Sequence, residues 1–141
     1  MSTTRTAQTR WEGNLTEGAG RVTLESSGIG TFDVSWPARA EEPNGKTSPE
    51  ELIAAAHSSC FSMALSGALG RAGTPPTSLE TKADVDFTPG KGITGIHLSV
   101  VGVVEGIDEA AFQEAAEGAK QNCPVSQALT GTTITLDAKL G

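Results

Sequence analysis

The sequence predicts an α+β fold. Three observations carry that expectation. Short alternating strand segments gather at both ends of the chain, only two segments are long enough for full helices, and one of these is an almost uncharged run of small and apolar residues in the middle. The expected order is βββ-α-ββ-α-β in a single domain over residues 1–141, the simplest reading of a chain of that length.

Gln8 to Glu12, Arg21 to Glu25 and Thr31 to Trp36 each alternate apolar and polar side chains between glycine-containing turns, which predicts a three-strand meander. Residues 37–47 contain two prolines, an Asn-Gly pair and several charges, and read as an exposed loop that carries Arg39. From Thr47 to Gly70 the chain reads as one long helix. Ser48 is placed to be the N-cap, Pro49 takes the first helical position and Glu51 completes a Ser-x-x-Glu capping box. Gly70 or Gly73 supplies the stop. No charge intervenes between Glu51 and Arg71, so the helix is expected to be buried on all sides. Cys60 lies in its middle, among Ala56, Ser58, Ser59 and Ala64.

A proline turn from Thr74 to Ser78 leads to a strand over Leu79 to Phe87, one face apolar and one charged. The loop Pro89 to Gly92 returns the chain into Ile93 to Val104. There the apolar parity changes at Val101 and Val103, as a bulge near Val100 or Gly102 would make it. Ile107 and Phe112 flank Asp108 as a hydrophobic staple around an N-cap, so a second helix is expected from Glu109 to Asn122. Cys123-Pro124 ends it, and residues 124–129 allow one further helical turn capped by Cys123. The last strand is Thr132 to Leu140, with Ile134, Leu136, Ala138 and Leu140 inward.

Composition narrows the chemistry. Ten basic residues against 17 acidic ones give a net charge of -7 with no basic run, a poor match to nucleic acid or an anionic membrane. The opening MSTTRTAQTR has no apolar segment, so neither a signal peptide nor a membrane anchor is expected and a cytoplasmic location follows. There is no CxxC, HExxH, glycine-rich phosphate loop or internal repeat, and no cofactor is called for.

What remains is thiol chemistry. A thiol that reduces a peroxide needs to be deprotonated, needs a cation that keeps it so, and needs a second thiol to discharge the oxidised product. Cys60, an arginine and Cys123 supply the three types. Cys60 alone also reads as a small core residue, because burial at mid-helix raises a thiol pKa. Cys123, at the cap of a short helix, has amides nearby to stabilise its anion. His57 stands three residues before Cys60 on the same face, an arrangement that would suit a Cys-His hydrolase pair, although no third orienting group or oxyanion turn is evident. His97, the only other histidine, falls on a strand, and no ligand pair has metal-motif spacing.

SPEELIAAAHSSCFSMALSGAL and CPVSQAL, supported by WEG at Trp11 to Gly13 and the terminal TITLDAKL, closely resemble the OsmC and organic hydroperoxide resistance family over nearly the whole chain. The resemblance implies an intertwined homodimeric α+β thiol peroxidase acting on organic hydroperoxides. It also implies that Cys60 is the peroxidatic and Cys123 the resolving cysteine, that Arg39 activates the thiolate, that Glu50 orients the arginine, and that an external dithiol of lipoyl type is the reductant. The loop AEEPNGKTS between Arg39 and Pro49 departs from the family's shorter form, which leaves Arg21 as an alternative activating residue. Glu50 and Cys60 are ten positions apart on one helix, about 15 Å of axial rise, so Glu50 is expected to serve the thiol of a partner chain. The rival reading is a non-catalytic dimer that binds a hydrophobic small molecule beside the central helix.

Overall fold

The computed structural model describes residues 1–141, which group into two compact units, Met1–Leu52 and Ile53–Gly141. In the first, β1 (Ala7–Glu12), β2 (Ala19–Leu24) and β3 (Thr31–Val34) form the expected antiparallel meander in the order β1-β2-β3. Trp11 pairs with Gly20 across the ladder, and its ring lies where a side chain on Gly20 would have to stand, 2.7 Å from the ideal Cβ position. Residues 37–47 are not wholly a loop. Ser35 accepts the Ala38 N–H at 3.2 Å and Pro37 occupies the first turn, so Trp36–Ala40 closes into a short helix, α1. The helix signal is local: a serine cap followed by proline.

The long helix, α2, runs over Pro49–Arg71. Ser48 Oγ accepts the Glu51 N–H at 3.1 Å, while the Glu51 carboxylate takes the Thr47 hydroxyl at 2.6 Å instead of reaching back to the Ser48 amide. At the far end Gly73 has φ +87°, its N–H meets the Gly70 carbonyl, and the Thr74 N–H meets that of Leu69. This paired closure satisfies two end carbonyls, and the positive φ explains glycine at 73.

The second unit stacks helices on a three-stranded sheet ordered β4-β5-β6, with β4 (Ser78–Thr88) antiparallel and β6 (Ile134–Leu140) parallel to the central β5 (Gly92–Val103). The bulge lies between Asp86 and Phe87, not near Val100 or Gly102. No parity switch occurs at Gly102, which stays on the inner face beneath Phe112. A Cβ there would stand 2.6 Å from the ring, so the aromatic fills the space that an aliphatic side chain would otherwise take. Helix α3 (Glu109–Asn122) starts as expected at Asp108, whose side chain accepts the Ala111 N–H at 2.8 Å. Phe61, Leu65 and Leu69 of α2, Leu98 and Val100 of β5, and Phe112, Ala116 and Ala119 of α3 make the core, joined by Cys123.

One expectation about α2 is corrected. The helix is buried along one stripe, His57, Phe61, Leu65 and Leu69, while Ala55, Ala56, Ser59 and Ser66 are exposed and Met63 is 74% exposed. The sheet has only one face to offer it. By length and composition α2 would also satisfy the requirements of a membrane span, but a core helix of a folded domain meets the same test, and the buried stripe is packed as such a helix packs.

Candidate functional site

Two clusters hold the polar side chains singled out by the sequence. In the first unit, Arg39, in the last turn of α1, grips Glu50 near the start of α2. Nε donates to Oε1 at 3.0 Å and to Oε2 at 3.1 Å, and an Nη donates to Oε2 at 2.9 Å. Glu50 is 6% exposed, and a carboxylate so buried requires such a fork. Its place in the first turn of α2 adds the favourable end of the helix dipole. Arg21, the alternative, pairs instead with Asp33 across β2 and β3 at 3.5 Å, where both side chains are exposed.

In the second unit, Cys60 packs against the core cluster that contains Cys123, the two side chains are neighbours, and neither is in a disulfide. They meet because Pro124 begins α4 (Pro124–Ala128) immediately after α3 ends, which turns Cys123 inward, fully buried, as the cap residue of α4. The Val125 backbone lies beside the Cys60 sulfur. Burial pushes the Cys60 thiol pKa up, the neighbouring Cys123 pushes the same way, and the Val125 backbone alone opposes them. A thiol that reduces a peroxide needs to be deprotonated, and the surroundings this chain gives Cys60 act in the opposite direction.

His57 does not face Cys60. Its Nε2 lies 2.7 Å from Ser126 Oγ on α4, both residues are buried, and its Nδ1 has no hydrogen-bond partner. Burial lowers its pKa, so the ring is neutral at pH 7. Ser126 has no role in the sequence reading. The available signal is one of spacing, since Ser126 follows Cys123 by three residues as His57 precedes Cys60 by three. His97 lies on the outer face of the sheet, with Nε2 3.0 Å from Asp137 Oδ2 and Nδ1 against Thr135 Oγ1. No three histidine, cysteine, aspartate or glutamate side chains gather as metal ligands would.

Fold and thiols together define a class: α+β proteins in which two cysteines meet between a long central helix and the short helix of a strand-to-strand crossover. The chain belongs to the OsmC family, whose model, described as OsmC-like protein, matches residues 42–138. It is 44% identical to "Peroxiredoxin OsmC" of Escherichia coli strain K12 over 143 aligned positions, which cover 99% of each chain. It is 30% identical to "Organic hydroperoxide resistance protein OhrB" of Bacillus subtilis strain 168, over 86% of this chain and 88% of that one. The crystal structure of B. subtilis OhrB superposes with a TM-score of 0.70, at 26% identity and with 95% and 98% of the two chains covered. The OsmC-like protein of Mycoplasma pneumoniae, 13% identical, shares the fold with a TM-score of 0.74 over 99% of both chains.

Proposed function

We propose that this protein is a cytoplasmic, homodimeric thiol peroxidase that reduces organic hydroperoxides, hydrogen peroxide less well, with Cys60 as the attacking thiol, Cys123 as the resolving thiol and an external dithiol, of lipoyl type, as reductant. The observation that carries the reading is the contact between the Cys60 and Cys123 thiols, the only two in the chain. The names of the E. coli and B. subtilis relatives support the substrate class.

In this reading the Cys60 thiolate attacks the outer peroxide oxygen. The O–O bond breaks, the alkoxide leaves and takes a proton to become the alcohol, and Cys60 is left as a sulfenic acid. Cys123 attacks that sulfur, the S–O bond breaks, water leaves with the thiol proton, and a Cys60–Cys123 disulfide forms. The dithiol opens it through a mixed disulfide and departs as its own disulfide, returning two thiols. Neither metal nor cofactor takes part.

The thiolate needs a cation, since the protomer's own groups favour the neutral thiol. We assign that role to Arg39, oriented by Glu50, acting on Cys60 of a partner chain. Glu50 and Cys60 stand ten residues apart on one straight element, about 15 Å along its axis. Two α2 helices crossing about a two-fold axis would bring the start of each towards the middle of the other. The uncovered side of α2, with Ala55, Ala56, Ser59 and Met63, is the surface on which small residues allow such a crossing.

A groove of about 610 Å³ between α2 and α3, lined by Met63, Ala64, Ala68, Ala115 and neighbouring residues, favours the second reading, a non-catalytic binder of a hydrophobic molecule. Neither cysteine lines it. Turnover with an organic hydroperoxide and a dithiol separates the two: the wild type should consume peroxide and Cys60→Ser should not. Equal, negligible rates in both would leave the binder.

A further inference from the structure

Helix α4 brings three groups against α2: the Cys123 thiol, the Val125 backbone and the Ser126 hydroxyl. The first two act on Cys60. The third meets His57. The two side-chain contacts, 60 with 123 and 57 with 126, are one turn apart on each helix and run in opposite senses, so they form two adjacent rungs between antiparallel segments.

The rungs differ in what oxidation does to them. When Cys60 becomes a sulfenic acid, its sulfur carries an oxygen beside Cys123. Closing the disulfide then requires the sulfurs to approach to about 2.05 Å, nearer than two unbonded thiols stand. Helix α4 begins at Cys123, so where it sits on α2 governs how readily the two sulfurs meet. It is five residues long, far below the length at which a helix is stable alone, and no side chain caps its start. The His57–Ser126 rung contains no redox group, so oxidation of the cysteines does not change its chemistry. It is also the only hydrogen bond of the imidazole, because Nδ1 has no partner. An Nε2–H donated to Ser126 Oγ leaves Nδ1 as an unmet acceptor, whereas the other tautomer would bury an unmet N–H donor.

We propose that His57 and Ser126 are positioning residues that keep α4 docked on α2 while Cys60 is a sulfenic acid, and so decide how that acid partitions between the disulfide and over-oxidation. The proposal rests on the assignment of Cys60 and Cys123 made above. When the rung is removed, α4 spends more time away from α2, Cys123 arrives later, and a second peroxide oxidises the sulfenic acid to a sulfinic acid, one more oxygen on sulfur with release of a second alcohol.

The test treats the reduced full-length protein with graded tert-butyl hydroperoxide and reads the ratio of Cys60–Cys123 disulfide to Cys60 sulfinic acid by mass spectrometry. Ser126→Ala and His57→Leu should each lower that ratio about threefold to tenfold, the worth of one buried hydrogen bond. The double variant should fall no further than either single one, and His57→Gln, whose amide nitrogen reaches the place of Nε2, should recover most of the wild-type ratio. A merely structural contact would lower the melting temperature of all these variants and leave the ratio alone. Ser126→Ala removes one oxygen, so an unchanged ratio in that variant overturns the proposal however His57→Leu folds, and so do additive losses in the double variant. A wild type that forms no Cys60–Cys123 disulfide would instead overturn the thiol assignment.

Discussion

Arg39 and Glu50 form an unequal pair: the carboxylate side chain is 8% exposed and the guanidinium side chain 31%. The two ends should therefore respond differently to loss of the partner. Arg39→Ala strands a buried carboxylate and is expected to destabilise the protein by about 3–5 kcal/mol. Glu50→Ala removes the buried charge along with its need for a partner, and the loss should be smaller. Urea denaturation of both variants checks the order.

The titration of Cys60 should reveal the missing cation. Burial and Cys123 raise its pKa, so Arg39→Ala is expected to move both the thiol titration and the pH profile of peroxide reduction towards alkaline pH. The rate at pH 7 should fall by about two to three orders of magnitude, as when one charge-stabilising donor is removed. An unchanged thiol titration in Arg39→Ala would detach the arginine from the thiol and redirect attention to Arg21.

Mixing subunits tests whether the site is shared. Glu50→Ala and Cys60→Ser homodimers should each be nearly inactive, whereas their heterodimer should regain one intact site and about half of the wild-type activity per dimer. A mixed dimer as inactive as its parents would place carboxylate and thiol in the service of the same chain.

His57 makes stability depend on acid. The unfolded imidazole binds a proton near pH 6.5 and the folded one only at lower pH, so its contribution is present above about 6.5 and is lost as pH falls through the folded value. The slope attributable to it is at most about 1.4 kcal/mol per pH unit. His57→Gln should flatten the curve in that window.

Gly102 offers a packing test. A methyl group there meets the Phe112 ring at 2.6 Å and Leu79 at 3.2 Å, in a core with no slack, so Gly102→Ala should cost about 1–3 kcal/mol. Adding Phe112→Leu should return part of that loss in urea denaturation.

Most of the elements were legible because their ends carry local chemistry. Asp108, Ser48 and Gly73 mark helix boundaries through hydrogen bonds made within a few residues, and the alternation in 78–88 needs only one wet and one dry face. The helix at Trp36 was hidden by two prolines and an Asn-Gly pair, which outweighed its Ser35 cap. The misplaced bulge has a longer-range cause: the gap over Gly102 is filled by a ring ten residues further on, which periodicity within a strand cannot register. The cysteines stood out as rare and reactive. Ser126 did not, since one hydroxyl acquires meaning only when His57, 69 positions away, is brought to it.

The parallel pairing of β5 and β6 has a consequence for how such a protein can be remade. Parallel neighbours oblige the chain to travel back along the sheet before it can pair, and the stretch from Val103 to Ile134 is that return journey. Cys123 rides on it, so the second thiol occupies a connector that the topology demands in any case. A connector must span a fixed distance and this one must fill the core, but no strand pairing depends on the sulfur of Cys123. Cys123 can thus be deprived of its sulfur in a designed variant while the strands on either side keep their register, and redox chemistry can be rewritten without rewriting the fold.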